Sequence, residues 1–140
     1  MLVLWLCGAP SAHSASEIQQ HQFKTSDGVT LSYMEAGKGT QTIIFIPGWV
    51  MPAAIFEKQL LALSEKFRVL AFDPRSQGKS QLTSLAHNPM RRTKDMDELI
   101  RAANVKDFIL AGWSLGVLES LDYIARYKPA NLKGLILIDN

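Results

Sequence analysis

The chain has 140 residues, of which 47% are hydrophobic and 20% charged, and its formal net charge is +2. This length suits one domain with a hydrophobic core, and the composition excludes a disordered chain. So small a charge, without a basic stripe interleaved with aromatic residues, argues against a nucleic-acid partner. The single cysteine, Cys7, leaves no disulfide to form within the chain.

The first 16 residues have the character of a secretory signal or leader. The stretch "MLVLWLCGA" is almost entirely apolar, and small residues follow it, with Ala12 and Ser14 placed for cleavage after Ser14. The apolar run is shorter than the ~18 residues of a membrane span. No Lys or Arg precedes it, however, and a segment that is not a signal would leave the protein in the cytoplasm. We expect residues 1–16 to direct export and residues 17–140 to form the folded part.

Apolar patterns along the rest of the chain predict strands that alternate with helices. A hairpin turns at Asp27-Gly28, and the continuous apolar runs at 42–46, 68–72, 108–112 and 132–139 predict buried strands. Helical spacing predicts three helices between them, on Phe56, Leu60, Leu63 and Phe67, on Met96, Leu99, Ile100 and Ala103, and on Leu118, Leu121 and Ala125. This order predicts an α/β fold, a mainly parallel sheet with helices on both faces.

The strongest concentration of charge precedes the second of these helices. The run Arg91–Lys94 leads directly into Asp95, Asp97 and Glu98. We interpret it as a solvated helix start, with acidic residues in the first turn, where the helix dipole favours them.

One serine lies between two glycines at the junction of a predicted strand and a predicted helix. The motif is "GWSLG", residues 112–116, and it has the form of a nucleophile elbow. A turn this tight holds the serine in a strained conformation, and side chains at Gly112 and Gly116 would collide with its surroundings. The Ser114 hydroxyl then projects beyond the carboxyl end of the sheet, where ligands of such sheets bind. This pattern predicts a catalytic nucleophile.

From about residue 22 to residue 140, the chain resembles the N-terminal half of an α/β-hydrolase. The motifs that carry the resemblance are "IFIPGW", "LAFDPRSQGKS", "LAGWSLG" and "LKGLILIDN", in that order. The resemblance implies that Ser114 is the nucleophile of a serine hydrolase and that the backbone amides of Trp49 and Leu115 form the oxyanion hole. Because "GWSLG" resembles small carboxylesterases, it implies a small-molecule ester as substrate. We expect no cofactor, and no cluster of Cys and His or of carboxylates in the sequence suggests a metal site. The chain departs from the family at Pro47, where histidine is usual, and at Val117, where glycine is common.

A serine nucleophile needs a histidine base and a carboxylate that orients the base. In this family both follow the serine in the chain, but no histidine follows Ser114. The acids after it are Glu119 and Asp122, in the predicted helix, and Asp139, at the end of the last strand. We expect the sequence to be the front part of a longer hydrolase, inactive by itself, whose acid and histidine lie downstream.

Other interpretations of the same residues remain open. The elbow also suits a perhydrolase, a lactonase, a C–C hydrolase or an acyltransferase, and a truncated product could be non-catalytic. The residues "GKS" at 78–80 do not form a phosphate-binding loop, because Asp73 stands where that motif needs glycine. We interpret His21 and His87 as surface residues. Trp49 and Trp113 either line an acyl pocket or simply pack.

Overall fold

The computed structural model of the protein describes residues 17–138, in which six strands form one mixed sheet. The predicted leader at 1–16 and Asp139 lie outside the described residues. A 3₁₀ turn at Ala53–Phe56 precedes α1. The elements are β1 (Gln19–Lys24), β2 (Thr30–Ala36), β3 (Thr42–Ile46), α1 (Glu57–Leu63), β4 (Arg68–Asp73), α2 (Pro89–Ala102), β5 (Phe108–Trp113), α3 (Leu115–Tyr127) and β6 (Leu132–Ile138).

The sheet has the strand order β1-β2-β4-β3-β5-β6. The pairs β1–β2 and β2–β4 are antiparallel, and the pairs that join β4, β3, β5 and β6 are parallel. Every residue of β3 is buried, as its continuous apolar run predicts. The predicted α/β fold with a mainly parallel sheet is therefore confirmed.

Two hydrophobic cores lie on opposite faces of the sheet. The first joins the sheet to α2 and α3, with Leu99 and Tyr123 among its buried residues. The second joins it to the 3₁₀ turn and α1 through Phe56 and Leu60. The predicted placement of helices on both faces is thereby confirmed. The first helix ends at Leu63, earlier than predicted, although Phe67 still packs against the second core.

The apolar residues that predicted α3 do not form its buried face. Leu118, Leu121 and Ala125 are exposed, whereas the buried positions are Gly116, Glu119, Ser120 and Tyr123. The helix begins so close to the sheet that only small side chains fit between them there. The aliphatic stripe of α3 thus marks its outer face.

The last strand, β6, is less buried than its composition predicts. It lies at the edge of the described sheet and pairs only with β5. Ile136, Leu137 and Ile138 are exposed. The expectation of a fully buried strand was wrong at these positions, because the other three parallel strands each have two neighbours in the sheet.

The charged run at the start of α2 is not a solvated helix start. The helix begins at Pro89, with Asn88 as its cap, and has no acidic residue in its first turn. Arg92 and Asp95 are buried, and Arg92 donates to Glu119 of α3. The acidic residues fall in the middle of α2 because the helix begins at Pro89, about two turns before Met96, the first of the apolar residues that predicted it.

The centre of this polar cluster is Arg75, whose side chain is fully buried. Its guanidinium makes two hydrogen bonds to Asp95, of 2.7 and 2.8 Å, and two to Asp27, of 3.1 and 3.4 Å. Arg91 also bonds Asp95, at 2.7 Å. A charge removed from water needs such partners, since an unpaired one costs several kcal/mol. The cluster ties the β1–β2 turn and the β4–α2 loop to α2.

We predict that Asp27 makes the stability of the protein depend on pH. Partial burial acts to raise the pKa of Asp27, but hydrogen bonds from Arg75 and Thr25 and the charges of Arg75 and Arg91 lower it to about 2. The stabilisation, about 1 kcal/mol after allowance for partial exposure, is therefore present above pH ~4 and lost as the pH falls towards 2. Thermal unfolding of wild type and Asp27→Asn should differ at pH 7 and converge near pH 2.

Asp107→Asn is the control for this measurement, because Asp107 is an exposed carboxylate paired with Lys133 on the surface. A difference between wild type and Asp27→Asn that stayed constant from pH 7 to pH 2 would contradict the prediction.

Candidate active site

Two loops meet at the carboxyl edge of the sheet because β3 and β5 are direct parallel neighbours. Ile46, the last residue of β3, pairs in register with Gly112 of β5. The loop that follows β3, residues 47–52, therefore begins beside the turn that follows β5. A Cβ added at Gly48 would lie 3.3 Å from the Ser114 Cβ, which places this loop directly against the serine.

Ser114 forms the junction between β5 and α3 in an unusual backbone conformation. Its φ is 52° and its ψ is −117°. A positive φ in a residue with a side chain costs of order 1–3 kcal/mol, and it persists only where the surroundings enforce it. The Ser114 N–H donates to the Ile138 carbonyl at 2.9 Å, and its carbonyl accepts from Val117 N–H at 2.9 Å. These bonds fix the residue from both sides.

The two glycines of the motif are required by backbone atoms packed against them. A Cβ at Gly112 would lie 2.4 Å from the Gly116 carbonyl oxygen, and one at Gly116 would lie 2.2 Å from the Ile46 carbonyl oxygen. Backbone cannot move aside as a flexible side chain can. The steric prediction for both positions is confirmed, with the obstacles identified as the first turn of α3 and the end of β3.

The predicted oxyanion donors lie on the two segments that meet at Ser114. Leu115 is the first residue of α3, so its N–H is among the amides that a helix leaves without an intrahelical acceptor. Trp49 follows Gly48 in a turn closed by the Met51 N–H, which donates to the Gly48 carbonyl at 3.3 Å. The Trp49 side chain is 69% exposed, whereas Trp113 packs against the second core.

The two histidines considered from the sequence and described by the structure lie on β1 and in the β4–α2 loop. His21, on β1, stacks on Tyr33 at 5.0 Å, so it is half-buried and not a plain surface residue. His87 is exposed, and its Nε2 lies 2.8 Å from the Thr83 carbonyl oxygen.

The two acids of α3 are each engaged with an arginine. Glu119 is buried and pairs with Arg92, and burial raises its pKa against the opposing effect of Arg92. Asp122 pairs with Arg126 at 2.6 Å on the surface of the helix. Both belong to α3, as predicted from the sequence.

Sequence analysis missed the structural part played by Asp73. Its side chain is buried at the carboxyl end of β4, and its Oδ1 accepts the Ala53 N–H at 2.6 Å. Its Oδ2 accepts the Lys79 N–H at 3.1 Å. A lone aspartate at a strand end carries no signal for these contacts, because Ala53 is 20 residues away.

Residues 17–138 contain no group of three or more His, Cys, Asp or Glu side chains placed to hold a metal ion. In the same part of the chain, no helix combines the length and the apolar character that crossing a membrane requires.

Comparison with known proteins gives one consistent match. A family model described as the alpha/beta hydrolase fold matches residues 41–140. The AB hydrolase superfamily protein YisY of Bacillus subtilis is 32% identical over 119 residues, which are 84% of this chain and 44% of that protein. The bifunctional esterase/perhydrolase DCH of Acinetobacter calcoaceticus is 30% identical, over 81% of this chain and 42% of that protein.

The chain is also similar to a solved structure. The esterase EaEST from Exiguobacterium antarcticum superposes with a TM-score of 0.79 at 26% identity, covering 83% of this chain and 43% of that one. The chain thus spans less than half the length of the curated relatives that it matches.

We predict that Gly116→Ala destabilises the protein, because its Cβ would overlap the Ile46 carbonyl oxygen. The loss in free energy of unfolding should be about 3 kcal/mol or more, as for severe overpacking. Urea unfolding followed by circular dichroism measures it.

Gly134→Ala on β6 is the matched control. The atoms nearest to its added Cβ begin at 3.5 Å, an ordinary contact distance. This variant should be neutral or slightly more stable, since alanine loses less backbone entropy than glycine. Equal stability of the two variants would refute the steric explanation.

Proposed function

Because the chain belongs to the α/β-hydrolase family, we propose that it carries the nucleophile of a serine hydrolase acting on carboxylic esters. The observation that carries this proposal is the geometry of Ser114, held at φ 52° between two glycines beyond the end of β5. This conformation is expensive. A serine that only capped a helix would not need it.

In the proposed mechanism, the Ser114 Oγ attacks the ester carbonyl carbon while a histidine takes its proton. The backbone N–H groups of Trp49 and Leu115 hold the negative charge that develops on the carbonyl oxygen. When the tetrahedral intermediate collapses, the ester C–O bond breaks and the histidine returns the proton to the departing alcohol. Water, activated by the same histidine, then cleaves the acyl-Ser114 ester and releases the acid.

The histidine and the carboxylate are proposed to lie downstream of residue 140 in the complete gene product. Residues 115–140 contain no histidine, and His21 and His87 belong to β1 and to the loop before α2. The greater length of the relatives supports this assignment, because more than half of each lies outside the match.

The choice of ester hydrolysis is supported by the names of similar proteins, an esterase and a bifunctional esterase/perhydrolase. The second name makes perhydrolysis the main alternative on the same nucleophile, with hydrogen peroxide replacing water in the deacylation step. Lactone opening follows the same chemistry with a cyclic ester. Assays of the complete gene product with peroxide and with lactones separate these reactions.

We predict that a fluorophosphonate probe labels the complete gene product at Ser114. Ser114→Ala should lose the label and at least about 10³-fold in p-nitrophenyl acetate hydrolysis, because the nucleophile itself is removed. Ser84→Ala is the control, since Ser84 is an exposed serine in the β4–α2 loop. Mass spectrometry of the labelled peptide identifies the site. Label retained in Ser114→Ala would reject Ser114 as the nucleophile.

A protein limited to residues 17–140 should show no turnover above its own Ser114→Ala variant, because the base is absent. Ser114-dependent turnover by this shorter protein would show that the base lies within it and would reject the downstream assignment.

A further inference from the structure

The buried carboxylate of Asp73 joins two loops at the carboxyl edge of the sheet. Asp73 ends β4, and its side chain is buried, with 2% of the residue exposed. Each carboxylate oxygen accepts one backbone N–H, Oδ1 from Ala53 at 2.6 Å and Oδ2 from Lys79 at 3.1 Å. Ala53 begins the 3₁₀ turn directly after the 47–52 loop, and Lys79 lies in the loop that follows β4. One side chain thus sets the position of both loops.

The loop held through Ala53 is the one that carries the proposed oxyanion donor Trp49. At its start, the loop packs on Gly116, where the Pro47 carbonyl oxygen would lie 2.9 Å from an added Cβ. Its own hydrogen bond, from Met51 to Gly48, is long at 3.3 Å. Val50, a β-branched residue at φ 58°, adds strain. The short bond to Asp73 at the far end therefore contributes strongly to fixing the loop.

The surroundings of Asp73 favour a carboxylate over other side chains. Gly78 approaches it so closely that an added Cβ would lie 2.0 Å from Asp73 Oδ1. The Asp73 carbonyl accepts the Ser80 hydroxyl, whose oxygen accepts the Ser32 N–H at 2.8 Å. Two backbone donors converge on this side chain, and only a carboxylate offers an acceptor to each without a donor of its own.

We propose that Asp73 is a positioning residue for the oxyanion hole: through the Ala53 N–H it fixes the 47–52 loop and thereby the Trp49 amide. This inference rests on the proposed function. The Asp73 carboxylate accepts the backbone N–H groups of Ala53 and Lys79, so its effect on catalysis is expected to act through the loop. A displacement of about 1 Å in such a donor costs on the order of 10²-fold in rate.

The test uses Asp73→Asn in the complete gene product. Asparagine presents an oxygen to one of the two amides and an NH₂ group to the other, which repels that donor. With p-nitrophenyl acetate, kcat should fall about 10- to 100-fold while KM changes less than twofold, because a misplaced oxyanion donor acts on the transition state. The inhibition constant of a trifluoromethyl ketone, which forms an oxyanion on Ser114, should rise by a similar factor.

Asp95→Asn is the matched control, since it makes the same chemical change at an equally buried carboxylate that binds Arg75 instead of the 47–52 loop. It should lower the unfolding temperature while kcat stays within twofold of wild type. If Asp73→Asn does not fold, Asp73→Glu replaces it. The longer side chain keeps both acceptors but displaces the loop, and the same split between kcat and KM is expected.

The possible outcomes distinguish a failure of this inference from a failure of the proposed function. A folded Asp73 variant with wild-type kcat and inhibitor binding overturns the inference and leaves the proposed function intact. Loss of kcat that Asp95→Asn reproduces also overturns it, since any lost buried carboxylate would then suffice. An unlabelled and inactive wild type overturns the proposed function, and this inference with it.

Discussion

The close approach of α3 to the end of β3 determines the geometry of the candidate site. Gly116 touches the Ile46 carbonyl, and Gly112 touches the Gly116 backbone, so the chain turns from strand to helix within one residue. That residue, Ser114, takes the positive φ that the turn demands. Backbone-to-backbone contacts of this kind leave no room for adjustment. The strained serine is therefore stabilised by the packing of the whole parallel sheet.

Buried polar groups connect the loops around this turn to the rest of the fold. Asp73 binds the backbone of two loops, and Arg75, two residues later, binds carboxylates on α2 and in the β1–β2 turn. Asp73 is the last residue of β4, and Arg75 lies in the loop that follows it. Because the buried Asp73 carboxylate holds the end of the 47–52 loop through the Ala53 N–H, the loop can keep apolar residues such as Trp49 exposed at the carboxyl edge of the sheet. Rigidity there is what an oxyanion hole requires.

Sequence patterns predicted most of the helices and strands, but they did not show correctly which side chains the fold buries. Continuous apolar runs identified the strands, because burial on both sides of a sheet demands such runs. The spacing of apolar residues predicted α3 but not its buried face, because that face carries small residues such as Gly116 and Ser120, which let the helix lie close to the sheet. The charged start of α2 was misjudged because a buried Arg92 needs Glu119, a partner 27 positions further along.

The sequence by itself determined the α/β class, the family and the location of the elbow, since these follow from local periodicity and from a motif within five consecutive residues. Only the tertiary structure decided which backbone atoms the glycines face, from which backbone N–H groups the Asp73 carboxylate accepts, and which carboxylates neutralise Arg75. The physical reason is distance along the chain. Contacts such as Asp73 to Ala53, or Asp27 to Arg75, join residues 20 and 48 positions apart, and no local pattern records them.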